Sequence, residues 1–338
     1  MLSLRDAYGR VARDMRVSLT DRCNLRCTYC MPAEGMEWMP AEVTLTDDEM
    51  IRLIGVAVER LGVTKVRFTG GEPLIRPGLA DIVAGTKRMT TVNGDAPETA
   101  LTTNGIGLDR KLDKLVPAGL DRVNISLDSL DRERYKQLAR RDRLDAVLRS
   151  IEAVAAAGLT PVKINSVIMR GVNEMDAVPL AEFALRGGYE LRFIEQMPLG
   201  PKGQWDRSQM VTQQELLDML GEHLTLTAAE EARGAAPAEL WDVAADDRQP
   251  GGRIGVIASV TNPFCGNCDR TRLTSDGQVR TCLFSNTETD LRAMMRDGAA
   301  DDDLADAWTG AHKYKPKAHG IDEDDFVQPD RTMSAIGG

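Results

Sequence analysis

The sequence predicts an α/β fold in which six strand–helix units form a parallel sheet that curls into an open or partial barrel, followed by a C-terminal extension. Hydrophobic strands and amphipathic helices alternate six times over about 200 residues, and this alternation is typical of a parallel sheet. Right-handed crossovers would then curl the sheet. The alternation ends at 226–251, a segment rich in alanine, acidic residues and glycine that we interpret as a boundary.

The elements follow in order along the chain. The first predicted strand, 15–20, leads into a loop with three cysteines, and a capping box of Thr46 and Glu49 starts a helix that ends near Gly62. The extension contains a predicted strand, 253–259, and a hairpin, 270–284, that turns at Asp276–Gly277. The other predicted elements are strands within 64–73, 98–105, 120–129, 160–171 and 189–200 and helices at 143–158 and 176–187.

The balance of charges argues against a general nucleic-acid-binding surface. The chain has 42 Lys and Arg residues against 52 Asp and Glu residues, a net charge of −10, whereas nucleic-acid-binding proteins usually carry a basic surface. No apolar run approaches the roughly 20 residues of a membrane span, and segment 1–14 has no apolar signal core. We therefore expect a cytoplasmic protein, in which clustered cysteines serve as metal ligands or catalysts more often than as disulfides.

The six cysteines form two sets of three. The first cysteine set has the spacing C-x3-C-x2-C and the second has C-x2-C-x13-C; their members are Cys23, Cys27 and Cys30, and Cys265, Cys268 and Cys282. A structural zinc site needs four ligands, and the three histidines of the chain could complete one such site but not comfortably two. Three cysteines bind three irons of an iron–sulfur cubane and leave the fourth open. Iron–sulfur clusters, zinc and redox-active thiols all remain possible from the spacing alone.

Polar residues follow each predicted strand, and the carboxyl ends of barrel strands are where such folds carry their chemistry. At any one strand these residues could simply be loop formers, but their recurrence at all six strands beside three cysteines favours a functional site. Arg270 and Arg272 lie two residues apart, and so on one face of a strand, just after Cys268. They could form an anion site beside a metal, or belong to a solvated edge strand.

The first cysteine set, with Tyr29 before its last cysteine and a GGEP loop at 70–73, resembles the radical S-adenosylmethionine superfamily. Within it, the chain is similar to the GTP 3',8-cyclase family of molybdenum cofactor biosynthesis from about residue 9 to residue 338. The matching motifs are VSLTDRCNLRCTYCMP, VRFTGGEPLIR, LTTNG, NISLDSL, VKINSVIMRGVN, LRFIEQMPLG, NPFCGNCDRTRLTSDGQVRTCLF and MSAIGG.

The resemblance implies an incomplete (β/α)6 barrel of the triosephosphate-isomerase type at 1–225, a connecting segment at 226–251, and a C-terminal region at 252–338. This region would bind a second cluster with a β-hairpin and helical extension and end in a Gly-Gly tail. The implied enzyme is a lyase that uses S-adenosylmethionine and two [4Fe-4S] clusters, one on each cysteine set. It would convert GTP to (8S)-3',8-cyclo-7,8-dihydroguanosine 5'-triphosphate by removing the hydrogen from C3' of the ribose and joining C3' to C8.

The resemblance also implies site residues. Beside the cluster cysteines, Gly337 and Gly338 would reach the active site, although the small tail by itself predicts a disordered end. The residues implied to contact S-adenosylmethionine are Tyr29, Gly71, Ser126 and Met197. The residues implied to contact GTP are Arg16, Lys65, Arg67, Thr102, Lys163, Arg192, Arg270, Thr271 and Arg272.

The implied partner downstream is cyclic pyranopterin monophosphate synthase; we expect a flavodoxin or ferredoxin as reductant, a homodimer, and neither nucleic acid nor membrane. Two alternatives remain. A radical S-adenosylmethionine enzyme with an auxiliary cluster could act on a peptide, although such enzymes usually have more cysteines in that cluster. A zinc-ribbon module for nucleic acid is disfavoured by the net charge, the missing fourth ligands and the GGEP loop.

Overall fold

The computed structural model describes residues 2–337 and contains one continuous sheet of twelve strands. The strands are β1 Asp14–Ser18, β2 Lys65–Thr69, β3 Glu98–Thr103, β4 Arg122–Ser126, β5 Lys163–Ile168, β6 Glu190–Glu195, β7 Leu226–Ala228, β8 Glu239–Val243, β9 Gly252–Ile257, β10 Arg270–Leu273, β11 Gln278–Arg280 and β12 Thr289–Asp290. The α-helices are α1 Asp47–Gly55, α2 Leu79–Lys87, α3 Leu112–Leu115, α4 Arg132–Ala139, α5 Leu144–Ala156, α6 Ala177–Gly187, α7 Gln213–Gly221, α8 Leu291–Arg296, α9 Asp301–Lys313 and α10 Met333–Ile336.

The centre of the sheet confirms the predicted barrel. Strands β1 to β6 are parallel and lie side by side in chain order. Two strands of the C-terminal extension enlarge this parallel core, because β10 pairs with β1 and β9 pairs with β6. The sheet then ends at β12 on one side and at β7 on the other, so the barrel is open.

The first helix begins as the sequence predicts. Thr46 accepts a hydrogen bond from the backbone of Glu49, whose carboxylate accepts from the backbone of Thr46 at 2.8 Å. Beyond Gly55 the helix continues as a π-helical turn, Val56–Arg60, before the chain enters β2. No helix within residues 2–337 is both long and apolar enough to cross a membrane.

The C-terminal hairpin excludes one of the two interpretations of Arg270 and Arg272, a solvated edge strand. Strand β10 is an inner strand, since it pairs with β1 on one side and with β11 on the other. Arg270 and Arg272 are 9% and 6% exposed, which excludes a solvated edge strand. Segment 226–251 contains β7 and β8, both in the same sheet as the barrel; its use as a domain boundary stays a prediction.

Strand β2 separates an apolar outer face from an inner face that carries charge. Val66 and Phe68 of β2 are fully buried in the hydrophobic core beneath the helices, while Arg67 between them faces the opposite side. Register then aligns the inner residues, placing Arg16 beside both Arg67 and Arg272. The inside of this barrel therefore contains a cavity with charged side chains among apolar ones, and not a packed apolar core.

Candidate functional site

The first cysteine set lies in the loop that follows β1. Its thiols are partly buried, and the Leu25 backbone N–H donates to the Cys23 sulfur at 3.4 Å. Burial raises the pKa of Cys23 to about 11 and that of Cys30 to about 12. Since thiolates, and not thiols, bind metals, a metal centre bound in this loop would have to offset the cost of ionising the cysteines.

The GGEP loop packs directly against the cysteine loop. A Cβ atom on Gly71 would lie 2.3 Å from the Arg22 carbonyl oxygen, and one on Gly70, with φ +141°, would lie 2.5 Å from that of Thr20. The backbone N–H of Gly71 donates to the Thr20 carbonyl at 2.6 Å. Glycine is therefore required at both positions because the two loops touch there.

Two acidic residues join the loops at the carboxyl ends of the strands. Glu72 is fully buried and accepts from the Thr103 hydroxyl at 2.7 Å and the Asn104 backbone at 2.8 Å, which joins the loops after β2 and β3. Asp128 accepts from the Tyr29 hydroxyl at 2.7 Å and the Val167 backbone at 2.9 Å. Burial raises the pKa of each carboxyl to about 6.

A cavity of about 250 Å³ occupies the barrel interior, and arginine dominates its polar wall. The five arginines that line it are Arg16, Arg67, Arg192, Arg270 and Arg272. The Arg270 guanidinium stacks on the Phe264 ring at 4.5 Å, which fixes its plane. Guanidinium groups bind phosphate oxygens through paired hydrogen bonds, so this wall suits a polyphosphate.

Carboxylates behind this wall hold the cations in place. Asp14 lies 3.3 Å from the Arg16 Nε atom and 3.3 Å from an Arg67 Nη atom. Burial raises the pKa of Asp14, but the charges of Arg16 and Arg67 outweigh it and hold that pKa at about 2. Glu190 is likewise shared by Lys163 at 3.2 Å and Arg192 at 2.5 Å.

The second cysteine set lines a smaller cavity between the loop after β9 and the end of β11. Although burial raises the pKa of Cys268, the charges of Arg270 and Lys315 outweigh it, and this thiol ionises more easily than usual. Lys315 is 4% exposed and donates to the Arg270 carbonyl at 2.6 Å. Arg10 donates to the Cys265 carbonyl at 2.6 Å, so the N-terminal segment also fixes this loop.

The central cavity adjoins the cavities of both cysteine sets, and we call the three together the passage. Tyr29, Thr102 and Ser126 line both the central cavity and the cavity of the first cysteine set. Met197 and Arg272, on the opposite side, line both the central cavity and the cavity of the second set. The two cysteine sets therefore lie at opposite ends of a passage whose middle is lined by arginine.

Among residues 2–337, no three Cys, His or acidic side chains are arranged to hold a single metal ion. Three thiols that each ligate a different iron of a cubane have no such requirement, and they leave one iron without a protein ligand. Three free thiols at each end match the donor set of a [4Fe-4S] cluster.

The C-terminal tail enters the barrel instead of leaving the surface. Helix α10 is buried over Ser334, Ala335 and Ile336, and the Gly337 carbonyl accepts from the Arg272 guanidinium at 2.6 Å. Gly337 lies against the ends of β1 and β2. The interpretation of the tail as a disordered end is wrong for Gly337, and Gly338 lies outside the described residues.

Most of the predicted contact residues surround the passage, but three do not. Lys65 is exposed at the start of β2, and Lys163 lies behind the wall, paired with Glu190. The Thr271 hydroxyl faces the other side of β10, where it accepts from the Trp308 indole at 2.9 Å and lies 2.9 Å from His312 Nε2. Only the backbone of Thr271 could contact a ligand in the barrel.

Other residues on these walls are not among the contact residues that the family resemblance implies. Asn124, Asn165 and Glu195 line the central cavity, and His319 lines the cavity of the second cysteine set. Asn124 and Asn165 had a usable signal, because each lies an even number of residues from a predicted inward residue on the same strand. His319 had none, since its position depends on how the final loop folds back.

Comparison with known proteins supports this geometry. Residues 17–184 match the family model of the radical SAM superfamily, and residues 189–321 match the model named Molybdenum Cofactor Synthesis C. Curated relatives named GTP 3',8-cyclase are 62% identical in Corynebacterium glutamicum, covering 99% of this chain and 89% of the relative, and 56% identical in Streptomyces coelicolor, covering 99% and 96%. A GTP 3',8-cyclase 2 of Mycobacterium tuberculosis is 55% identical over 99% of this chain and 92% of the relative.

A solved structure, SuiB of Streptococcus suis bound to S-adenosylmethionine, covers 97% of this chain and 76% of its own, with a TM-score of 0.59 and 12% identity. At that identity the likeness shows the fold alone.

Proposed function

We propose a division of tasks along the passage for a chain that belongs to the GTP 3',8-cyclase family of radical S-adenosylmethionine enzymes. The chain is a lyase that cyclises GTP to (8S)-3',8-cyclo-7,8-dihydroguanosine 5'-triphosphate in molybdenum cofactor biosynthesis, with S-adenosylmethionine and two [4Fe-4S] clusters. When bound, the first cluster and S-adenosylmethionine supply a 5'-deoxyadenosyl radical that takes the hydrogen from C3', after which C3' attacks C8 of guanine.

At the first end, Cys23, Cys27 and Cys30 would hold a cluster whose remaining iron is left for S-adenosylmethionine. Tyr29 and Ser126 line both this cavity and the central one, so they are placed to contact that cofactor where it meets the substrate. Gly71 lines the cavity through its backbone, since its Cβ direction is filled by the cysteine loop. Met197 lies toward the second end, where it would border the cofactor from the far side.

In the middle, the arginines would bind the triphosphate and hold the ribose between the two ends. Arg16, Arg67 and Arg272 lie side by side in the sheet, so their guanidinium groups form one contiguous cationic surface. Lys163 would act from behind the wall, through Glu190 and Arg192, more than by direct contact. Thr102 accepts from Asn124 at 3.2 Å, which fixes the wall between the two ligands.

At the second end, Cys265, Cys268 and Cys282 would hold a cluster whose free iron takes the purine. Arg270 would act on both the substrate and the second cysteine set, since it lines the central cavity and also lowers the pKa of Cys268. Helix α10 and Gly337 would close the passage at the ends of β1 and β2 and exclude water from the radical. Orientation and exclusion of solvent are the protein's contribution to such chemistry.

The observation that carries the proposal is the single passage that joins two three-cysteine sets through an arginine-lined cavity. Its test is an anaerobic assay of reconstituted protein with S-adenosylmethionine and a strong reductant, with and without GTP. We expect 5'-deoxyadenosine to increase with GTP and an isomer of GTP to form. Deoxyadenosine with unchanged GTP would refute the substrate assignment, and no deoxyadenosine from iron-loaded protein would refute the radical mechanism.

The proposal extends to partners and location. The product would pass to a cyclic pyranopterin monophosphate synthase, a flavodoxin or ferredoxin would reduce the first cluster, and the chain would act as a homodimer. A reducing cytoplasm suits the chain because all six cysteines are free thiols and cluster ligands must stay reduced.

A further inference from the structure

The charges that meet the triphosphate are unequally divided between the cavity wall and the layer behind it. Five arginines lie on the wall of the cavity, while Asp14 and Glu190 lie behind them. Each of these two carboxylates is already shared between two cations. A ligand in the cavity therefore meets guanidinium groups first, and these acids serve to hold the guanidinium groups in position.

The two carboxylates that do reach the wall, Asp128 and Glu195, are already engaged by hydrogen bonds at both of their oxygens. The Asp128 oxygens accept from the Tyr29 hydroxyl at 2.7 Å and the Val167 backbone at 2.9 Å. Glu195 accepts from the backbone of Gln213, Val260 and Thr261, each at 2.9 Å, and from the Thr261 hydroxyl. Four hydrogen bonds saturate the Glu195 carboxylate, and each Asp128 oxygen already has one donor, so both groups serve as parts of the scaffold.

Sites that bind a nucleotide with its magnesium ion supply one or two oxygen ligands to that ion, usually from carboxylates. Among the described residues of this wall, no carboxylate is without hydrogen-bond partners, and the five arginines would repel a second cation. Free GTP carries roughly four negative charges and Mg²⁺ cancels about two of them, so the metal complex would satisfy fewer of the arginines.

We propose that this site takes GTP as the metal-free nucleoside triphosphate, with the arginines in the place that magnesium fills in many other nucleotide enzymes. The inference rests on the proposed function and deepens it, because it specifies the ionic form of the substrate. Asp14 and Glu190 are positioning residues in this scheme: they keep Arg16, Arg67 and Arg192 extended toward the phosphates before substrate arrives.

The test compares binding of two probes to protein with both clusters loaded, by anaerobic equilibrium dialysis. One probe is GTP with a chelator of Mg²⁺, and the other is the exchange-inert chromium(III) complex of GTP. We expect the chromium complex to bind at least about tenfold more weakly, and the apparent Kd for GTP to rise as free Mg²⁺ increases. Equal or tighter binding of the chromium complex would overturn the inference while leaving GTP as the substrate. Failure of both probes to bind would overturn the proposed function with it.

A variant tests the same point from the protein side. Asn165→Asp places a carboxylate of nearly the same shape on the cavity wall, where the Asn165 Oδ1 atom has no hydrogen-bond partner. We expect N165D to bind free GTP at least about tenfold more weakly, and Mg²⁺ to restore part of that loss. Asn93→Asp, exposed in the loop between α2 and β3, adds the same charge and is expected to leave binding unchanged. Binding by N165D that Mg²⁺ does not improve would count against the inference.

Discussion

Replacing Gly337 with alanine is expected to displace the C-terminal tail from the barrel. Gly337 has φ +84° and ψ 121°, a conformation that a residue with a Cβ atom rarely adopts and that costs about 1–3 kcal/mol. The new Cβ atom would also lie 2.9 Å from Thr69 Cγ2 and 3.0 Å from Ser18 Cβ. A penalty of about 2 kcal/mol lowers the ratio of seated to displaced tail by about 30-fold. The hydrogen bond from Arg272 to the Gly337 carbonyl would be lost with it.

The assay is the rate of GTP cyclisation per chain, at equal iron content and with saturating S-adenosylmethionine. We expect Gly337→Ala to lower that rate by up to about 30-fold, and deletion of Gly337 and Gly338 to abolish it while both clusters remain. Gly310→Ala in α9 is the matched control, since its Cβ atom would meet nothing within 4 Å. Cyclisation by G337A at the rate of G310A would refute the role of the tail.

Three further changes test other parts of the site. Arg331→Gln removes an ion pair just before α10, in which the Arg331 guanidinium makes two contacts with Asp276 at 2.9 Å. We expect slower cyclisation at unchanged iron content. Unchanged turnover would show that this ion pair does not hold α10 in place. Thr271→Val removes a buried hydrogen bond from Trp308 and is expected to lower the free energy of unfolding by about 1–3 kcal/mol in a denaturant titration; an unchanged midpoint would show that the bond contributes nothing. Cys282→Ser should lower the iron content from about eight to about four per chain, and a full complement of iron would exclude Cys282 as a ligand.

The sequence allowed prediction of the barrel and of most of its chemistry because both depend on local patterns. Period-two alternation and the capping box of Thr46 and Glu49 act within a few residues, and the structure confirms the strands and the helix they predict. The two cysteine sets could be recognised as candidate metal ligands for the same reason, because their spacing is a local pattern. The carboxyl ends of parallel strands then meet at one edge whatever the loop lengths, so Tyr29 and Ser126 could be placed near each other.

The remaining features depend on pairings between distant parts of the chain. Strand β10 pairs with β1 across some 250 residues, and only this contact reveals that Arg270 and Arg272 face the barrel and not solvent. Register decides which layer an inward residue occupies, so Lys163 could not be placed behind the wall from its own strand. The outward direction of Thr271, in contrast, could have been predicted from the sequence, because a residue between two inward arginines on a strand must point outward.

The most direct test of the account is the fate of the hydrogen at C3'. GTP deuterated at C3' of its ribose would be turned over anaerobically by protein loaded with both clusters, and the 5'-deoxyadenosine analysed by mass spectrometry. The account predicts one deuterium in the deoxyadenosine formed, and none when GTP deuterated at C4' is used instead. Unlabelled deoxyadenosine, formed together with the cyclised nucleotide from the C3'-deuterated substrate, would contradict an arrangement in which the passage brings C3' to the first cysteine set.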